Sequence, residues 1–567
     1  MMSLLHVLGE APQLVWVQKA GALPHSNQTK TGTITMSIID DKHAALGGAK
    51  GLLGAPVGTE KPNADRVGRS RRYKHGAIYW HPQTDAHAIH GDILSRWEEM
   101  GAERSSLGYP ISDVQTTPGG ESCQFQHGSL RVRSIAAPLT FFAQNMALLR
   151  NIPIIEDYKG TEPDKAVDVL ISYLRRTQPD VVGLSECFRN KERERMKKEL
   201  ASIYRHSLDG LREFGIIEDG GLLLFSKHPI VAHHRTIYRE AIGHDGLGAK
   251  GVFHARIAPP NHPTTYDLFL THAQNPSEGT GNDAQDALEN QYDHLSSFAR
   301  AYSSPHRPAL IMGDLNTDGG NSILYNAMLT QLDKPLDLWL TSGDGSLGIT
   351  FDKASSFAEG ARNRLPDDPE RHKIGHRIDY FLSHRGTKFW PVHTDTRVEI
   401  LQSSPGRDVS DHYGLTTRQT ELREWTVDIT RPIQSVKLEL VGFHCLNDTS
   451  ERGELDEVYF EFSCKADNGA KDSKPVGVTK KIKTGKIHTY NPRVQLDLRD
   501  PGAGLQVSIL GKEQDKPGTD ELLGSSSIRF ERNDLLQLLG QPAATRVFPL
   551  LTGANGEYAL KMAIEVD

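Results

Sequence analysis

Short apolar runs that end in polar residues recur through the middle of this chain. In the run 309–314 an apolar segment leads into Gly-Asp, and Asn316 follows two positions after Asp314. Residues i and i+2 of a strand point to the same face, so Asp314 and Asn316 are expected to project together from a strand end. Five further segments combine a β-prone run with a polar group in the same way. They are 140–145, 181–186, 268–272, 377–382 and 410–415.

Apolar residues at helical spacing lie between some of these runs. From 164 to 178 they follow the period of an α-helix, and Pro179 ends the pattern. The same period occurs from 283 to 302. These segments predict two helices beside a sheet that gathers its polar groups at one edge.

The two ends of the chain follow other patterns. Before residue 135 the sequence Leu-Gly-Ala-Pro at 53–56 recurs as Leu-Gly-Tyr-Pro at 107–110, and a His-Gly pair follows each copy. Such repeats build small modules in which each unit buries its apolar face on its neighbour. After residue 420 short alternating runs joined by polar turns predict an all-β sandwich. The 567 residues are therefore divided into three predicted domains, namely 1–134, 135–420 and 430–567.

The ordered strand ends carry a family resemblance. Gly-Asp-Leu-Asn-Thr at 313–317, Arg-Ile-Asp-Tyr-Phe-Leu at 377–382 and Ser-Asp-His-Tyr-Gly-Leu at 410–415 occur in that order. Together with the other runs they resemble the endonuclease/exonuclease/phosphatase superfamily, over about 135–420. The resemblance implies an α/β fold, a four-layer α/β sandwich with two facing sheets and helices outside. The whole chain would then carry a small N-terminal repeat module and a C-terminal all-β sandwich.

The same resemblance implies roles for the strand-end residues. Phosphodiester hydrolysis needs a nucleophilic water, neutralised charge on the phosphorus oxygens and a stabilised leaving oxygen. Imidazole titrates near working pH, which suits a general base, and Mg²⁺ takes few carboxylates and keeps several waters. The implied catalytic residues are His412 as general base, Asp379 as its partner, Asp314 to orient the water, and Asn316 and His272 on the phosphoryl oxygens. The implied ligands of Mg²⁺, or of Mn²⁺ in its place, are Glu186, Asn145 and Asp411.

One branch of the superfamily fits better than others. Lys-Gly-Val-Phe at 250–253 is similar to the corresponding segment of neutral sphingomyelinases, and Lys250 would approach the substrate phosphate as a point charge. A surface lysine beside a turn is the alternative for this residue. Ala147 stands where abasic-site endonucleases carry an acidic residue. The sequence favours a sphingomyelinase- or phospholipase C-like phosphodiesterase. A DNase I-like endonuclease, serving as a toxin or defence effector, and a catalytically idle binding protein are the alternatives.

Charge bears on the substrate. The segment 136–420 contains 32 Lys and Arg against 37 Asp and Glu, and the whole chain has a net charge of −7. Nucleic-acid enzymes usually carry a basic footprint, because phosphate neutralisation dominates their affinity. The balance favours a lipid head group or another small phosphodiester over nucleic acid, without excluding the latter.

The flanking modules suggest further partners. The N-terminal copies resemble LGFP repeats of bacterial cell-surface proteins, which implies a cell-envelope ligand; a packing platform for the catalytic domain is the alternative. In the C-terminal segment the acidic loop 448–456 is either a Ca²⁺ site, as in synaptotagmin-type sandwiches, or a solvated turn.

The remaining signals concern location. Four cysteines do not make a disulfide framework, and the chain contains no apolar run long enough for a transmembrane helix. The segment 1–23 lacks the basic start of a signal peptide. These features favour the cytoplasm, whereas the repeats favour the cell surface, which export by a non-Sec route would reconcile.

Overall fold

The computed structural model describes most of the chain. The described residues are 37–149, 161–211, 219–238, 240–243, 248–277, 283–304, 306–352, 357, 375–386, 388–447, 456–482, 487–502, 504–516, 519–536, 538–539, 544–551 and 557–567. Within these ranges the strands are β1 (Pro56–Pro62), β2 (Arg69–Tyr73), β3 (Gly76–His81), β4 (Asp85–His90), β5 (Gln115–Thr117), β6 (Gly120–Phe125), β7 (Gly128–Asn145), β8 (Val181–Ser185), β9 (His206–Asp209), β10 (Leu223–Ser226), β11 (Ile230–Ile237), β12 (Gly251–Ile257), β13 (Tyr266–His272), β14 (Ala309–Asp314), β15 (Leu336–Asp337), β16 (Asp379–His384), β17 (Phe389–Glu399), β18 (Gln402–Ser404), β19 (Arg407–Asp408), β20 (Gly414–Ile429), β21 (Ser435–Asn447), β22 (Asp456–Ala466), β23 (Lys471–Ile482), β24 (Ile487–Arg499), β25 (Gly504–Lys516), β26 (Thr519–Glu531), β27 (Ala544–Leu551) and β28 (Glu557–Val566). The α-helices are α1 (Ile38–Ala45), α2 (Gly91–Glu99), α3 (Pro163–Thr177), α4 (Asn190–Leu200), α5 (Asp283–Tyr302), α6 (Ser322–Gln331), α7 (Leu338–Ser342) and α8 (Arg532–Leu536).

Two sheets form the centre of the molecule. The first has the strand order β17-β20-β7-β8-β10-β9, with β6 and β5 attached to β7. The second has the order β11-β12-β13-β14-β16-β15. Side chains from both sheets, among them Phe141, Leu268 and Met312, share one buried core between them. The predicted α/β sandwich is confirmed at this level.

Helices cover the outer faces of both sheets. The predicted helix 164–178 is α3, which packs with α4 against the first sheet, and the predicted helix 283–302 is α5, which packs against the second. Gln178 adopts a left-handed conformation with φ of +45° and ends α3 just before the proline. Alternation along each strand serves both layers: Phe141 points into the central core, and Phe142 points toward α3.

The N-terminal repeat is visible in the backbone. Leu53 and Leu107 are both fully buried, and the glycine after each has a positive φ, +74° at Gly54 and +71° at Gly108. In each copy the leucine carbonyl accepts a hydrogen bond from the histidine of the following His-Gly pair, at 2.9 Å in the first copy and 3.0 Å in the second. The two copies thus repeat one turn, which only glycine adopts without strain.

Two long strands join the N-terminal module to the central sheet. Strand β7 pairs with β20 from Gly128 opposite Ile429 to Ala143 opposite Leu415. The predicted boundaries at 135 and 420 therefore fall inside continuous strands. The division into three domains stays a prediction.

The C-terminal segment forms two antiparallel four-stranded sheets. Their orders are β24-β21-β28-β27 and β23-β22-β25-β26. Leu438 and Phe443 of one sheet and Phe460 of the other belong to one buried core. The candidate Ca²⁺ loop at 448–456 lies outside the described residues except at its last residue, which begins β22.

The cysteines and helices add two observations. All four cysteines are buried and free, as the absence of a disulfide framework predicts. Among the described residues, none of the helices combines the length and apolar character needed to cross a bilayer.

Gly108→Ala is expected to destabilise the protein by about 1–2 kcal/mol, because an L-residue disfavours the left-handed backbone. A Cβ at Gly108 would also lie 2.6 Å from Oε1 of Gln126, the oxygen that accepts the backbone N–H of Tyr109. Thermal unfolding measures the change. Gly119→Ala is the control, since φ there is not positive and the nearest atom to an added Cβ is 3.7 Å away. Equal melting temperatures for the two variants would contradict this account of the repeat.

Candidate active site

Strand ends from the second sheet bring three predicted residues side by side. In the register of β13, β14 and β16, His272 lies opposite Asp314, and Asp314 lies opposite Asp379. All three side chains are buried. The predicted polar edge of this sheet is therefore present.

Asn145 links that edge to the first sheet. It ends β7, and Glu186 follows β8 directly. The Asn145 side-chain amide donates to Oε1 of Glu186 at 3.0 Å and to Oδ2 of Asp314 at 3.1 Å. Because one amide bonds carboxylates from both sheets, the two edges form a single site.

His412 and Asp379 form a buried pair. Nδ1 of His412 lies 2.8 Å from Oδ2 of Asp379, and Nε2 lies 3.8 Å from Oδ2 of Asp314. The hydroxyl of Thr350 accepts the backbone N–H groups of Ile378 and Asp379, each at 3.1 Å. Thr350 thus holds the backbone that carries the Asp379 carboxylate.

The backbone around His412 is held from the first sheet. The Ser410 hydroxyl donates to the Asn145 carbonyl at 2.8 Å and accepts the N–H of His412 at 3.1 Å. The Gln144 amide donates to the His412 carbonyl at 3.2 Å. Sequence reasoning did not single out Thr350, Ser410 or Gln144. Ser410 alone had a local signal, since it opens the Ser-Asp-His motif.

Lys250 is buried and bonded to His272. Its Nζ lies 2.8 Å from Nε2 of His272 and donates to the Ala273 carbonyl at 2.8 Å. Nε2 of His272 also lies 3.7 Å from Glu186 and 3.6 Å from Asp314. The surface-lysine alternative is wrong, because the side chain faces the acidic cluster.

Asn316 departs from the predicted geometry. Strand β14 ends at Asp314, and Asn316 has a φ of +51°, so strand alternation does not apply to it. Its backbone N–H donates to Oδ1 of Asp314 at 2.9 Å, and its amide donates to the Ala273 carbonyl at 3.0 Å. Asp314 and Asn316 are therefore neighbours through a turn and not through a shared strand face.

Burial and mutual charge shift the pKa values of these groups. Burial, together with the charge of Asp379, raises the pKa of Asp314 to about 7. Burial and the nearby Asp411 raise the pKa of Glu186. Burial by itself would lower the pKa of His412, but the charges of Asp379, Asp314 and Asp411 outweigh it and raise that pKa to about 10.

His272 is shifted in the opposite direction. Burial and the positive charges of Lys250 and His412 lower its pKa well below the ordinary value. His272 is therefore neutral, and its Nε2 can accept a hydrogen bond from the Lys250 ammonium.

The donor set fits a hard divalent cation. Ligand atoms of Asp314, Asp379 and His412 lie within 4.8 Å of one another, and Glu186 and Asp411 add two partly exposed carboxylates. Carboxylates whose pKa is raised by their own crowding gain most from added positive charge.

Asn145 fits the predicted ligand role less directly. Its Oδ1 accepts the backbone N–H of Ala147 at 3.1 Å, so its amide nitrogen faces the carboxylates. A role as a metal ligand requires the amide to turn over, and it stays a prediction.

Most of the charged run 189–199 lies in α4, and only part of that helix is a solvated face. Arg195 and Glu199 of α4 do form a surface i,i+4 pair at 2.9 Å. Glu192 and Arg193 of the same helix are buried, with relative exposures of 2% and 4%.

Two segments of the chain match models of known protein families. Residues 142–412 match the model described as the Endonuclease/Exonuclease/phosphatase family, and residues 53–105 match that of the LGFP repeat. No curated protein matches the chain.

Several solved structures are similar at low identity. Sphingomyelinase C from Streptomyces griseocarneus is 22% identical over 50% of this chain and 99% of its own, with a TM-score of 0.38. A beta toxin from Staphylococcus aureus is 20% identical over 49% of this chain and 99% of its own, with a TM-score of 0.39. An endonuclease/exonuclease/phosphatase family protein from Leptotrichia buccalis is 18% identical over 50% and 99%, with a TM-score of 0.34.

In the metal-free protein, Asp379→Asn is expected to lower the pKa of His412 from about 10, because it removes the neighbouring negative charge that favours the imidazolium. NMR titration of the His412 ring measures this pKa. Asp318→Asn is the control, since Asp318 forms the separate pair with His376 at 2.8 Å. A pKa unchanged by Asp379→Asn would contradict the electrostatic account of the site.

Proposed function

From the match of residues 142–412 to the model of the Endonuclease/Exonuclease/phosphatase family, we propose that the chain is a divalent-metal-dependent phosphodiesterase. The observation that carries the proposal is the buried His412–Asp379 pair, whose free ring nitrogen faces Asp314 beside Glu186. A paired imidazole next to clustered carboxylates provides a base and a cation site in one place.

His412 acts as the general base. Its Nε2 accepts a proton from the attacking water, while Asp379 holds the Nδ1 hydrogen and stabilises the imidazolium that forms. Asp314, 3.8 Å from Nε2, orients the water. The water oxygen bonds to phosphorus, and the bond to the leaving oxygen breaks with its electron pair. A proton from solvent converts the leaving oxygen to the hydroxyl, and the products are a phosphomonoester and an alcohol.

Glu186, Asn145 and Asp411 would hold Mg²⁺, or Mn²⁺ in its place. When bound, the cation supplies positive charge to the phosphoryl oxygens and to the leaving oxygen. Bound there, the cation would also oppose the carboxylates that raise the pKa of His412, and the imidazole would then be neutral and able to accept a proton at lower pH.

His272, Asn316 and Lys250 form the anion-binding side of the site. The Lys250 ammonium lies against His272, and both Lys250 and Asn316 donate to the Ala273 carbonyl. We propose that His272 and Asn316 contact the phosphoryl oxygens and that Lys250 contributes its charge from behind them.

A small phosphodiester or lipid head group is the proposed substrate class. The absence of a basic excess across 136–420, with 32 Lys and Arg against 37 Asp and Glu, supports this choice over nucleic acid. We further propose that the LGFP module, residues 53–105, binds a cell-envelope component and so places the enzyme near a surface.

A paired assay tests the substrate class. Purified full-length protein with Mg²⁺ is given sphingomyelin, with phosphocholine release followed, and separately supercoiled plasmid, with nicking followed. Head-group release without nicking is expected, and EDTA should abolish it. Nicking alone would establish an endonuclease instead, and turnover of neither substrate would favour a binding protein.

His412→Ala is expected to lower kcat at least about 100-fold, because the general base is lost. His306→Ala is the matched control, since His306 is 45% exposed and pairs with Asp534 far along the chain. Circular dichroism verifies folding of both variants. Full activity of a folded His412→Ala protein would overturn the mechanism.

Mg²⁺ is expected to raise the melting temperature, because a cation that binds only the folded state stabilises it by about 2.7 kcal/mol at a concentration 100 times its Kd. Differential scanning fluorimetry with and without Mg²⁺ measures the shift. Glu186→Gln should remove most of it, whereas Glu289→Gln on the surface of α5 should not. A shift that survives Glu186→Gln would place the cation elsewhere.

A further inference from the structure

A buried ion pair lies behind the segment that carries Glu186. The two terminal nitrogens of the Arg193 guanidinium both donate to the Asp219 carboxylate, Nη1 at 2.7 Å, and Nη2 also donates to Oδ1 of Asn190. The side chains of Arg193 and Asp219 are 5% and 1% exposed. A buried ion pair is weak evidence for stability, because desolvation offsets its attraction. Its position therefore calls for another explanation.

The pair is connected to Glu186 through two backbone hydrogen bonds. Oδ1 of Asp219 accepts the N–H of Gly221 at 2.9 Å, and the Gly221 carbonyl accepts the N–H of Cys187 at 2.8 Å. Gly221 has a φ of +62°, and a Cβ there would lie 2.9 Å from the Phe188 ring. The two segments 186–188 and 219–221 are therefore in close contact, and the Asp219 carboxylate of the ion pair bonds the second segment at Gly221.

Glu186 itself has an unfavourable backbone. Its φ is +51°, a left-handed conformation that a glutamate rarely adopts. The Glu186 carbonyl accepts the N–H of Leu148 at 2.9 Å, and the Ser185 carbonyl accepts that of Met146 at 3.0 Å. These two bonds hold the backbone before and at Glu186 against the residues that follow β7. The bond from the Cys187 N–H to the Gly221 carbonyl holds the backbone just after Glu186. Strained backbone persists only where its surroundings over-determine it.

We propose that Arg193 and Asp219 are positioning residues that hold Glu186 in place as a ligand of the divalent cation. The inference rests on the proposed function, since Glu186 is a ligand there. Arg193 touches neither substrate nor cation, and it acts through Asp219 and the backbone of 187 and 221. Mutation of residues that orient a metal ligand typically weakens metal binding 10- to 100-fold.

Metal affinity of the full chain tests the proposal. Isothermal titration calorimetry with Mg²⁺ is carried out on wild type, Arg193→Met, Asp219→Asn and Arg193→Lys. Binding about tenfold weaker is expected for the first two variants, and Arg193→Lys should lie between them and wild type, because lysine cannot donate in two parallel bonds. At saturating Mg²⁺ the kcat of each variant should lie within about threefold of the wild-type value, because the proposed general base, His412, is unchanged.

Arg307→Met is the control for loss of an arginine that pairs with a buried carboxylate; Arg307 is 23% exposed and Asp267 is fully buried. Arg307 donates to Asp267 at 2.9 Å, and Asp267 lies at the opposite end of β13 from His272. The Arg307→Met variant should have a lower melting temperature than wild type and an unchanged affinity for Mg²⁺. Equal weakening by Arg307→Met at an equal loss of melting temperature would reduce the effect to general destabilisation and overturn the proposal.

Amide hydrogen exchange gives a readout that does not need the cation. Exchange at Cys187 should accelerate in Arg193→Met and Asp219→Asn and stay unchanged in Arg307→Met. Unchanged exchange and unchanged Mg²⁺ affinity in the first two variants would overturn the positioning role even if wild type hydrolyses phosphodiesters. Wild type that binds no Mg²⁺ would overturn the ligand role of Glu186, and with it the proposed function, whatever the exchange shows.

Discussion

Burial of both faces of the central strands leaves only their ends for polar chemistry. Leu268 of β13 points into the core between the sheets, and Phe269 points into the core beneath α5. A charged side chain in the middle of such a strand would lose its hydration on either face. The two sheets therefore place the carboxylates, amides and imidazoles of the site at one shared edge, where Asn145 bonds across the gap. The layered packing and the site are consequences of the same constraint.

Concentrating carboxylates at a buried edge creates a need for positive charge. Within the described part of the chain, Lys250 and His412 supply it, since both face the cluster that contains Asp314. A divalent cation would add to this balance. The lysine is thus better understood as a built-in counter-charge than as a loose contact for substrate, although the two roles are compatible when an anionic phosphate enters.

Much of this arrangement could be predicted from short apolar runs and their polar ends, because strand burial is a local property. The helices α3 and α5 were also predictable, from apolar spacing alone. Contacts between distant residues were not: Arg193 looks solvated in its own helix, and its partner Asp219 lies 26 residues away. Asn316 was misjudged because the strand ends two residues before it. The predicted boundaries at 135 and 420 fall inside β7 and β20, because no break in composition marks a boundary along either strand.

The shared strands also set an order of events during synthesis. Arg133 of β7 is paired with Glu424 of β20, 291 residues later. In the first repeat β3 pairs with β2 and β4 within the module, whereas in the second repeat the start of β7 pairs with β6 on one side and with β20 on the other. Closing so long a loop is slow and comes late. The start of β7 can pair with β20 only after Ile429 has left the ribosome, so the last strand pairing of the second repeat forms after residues 142–412 have been synthesised.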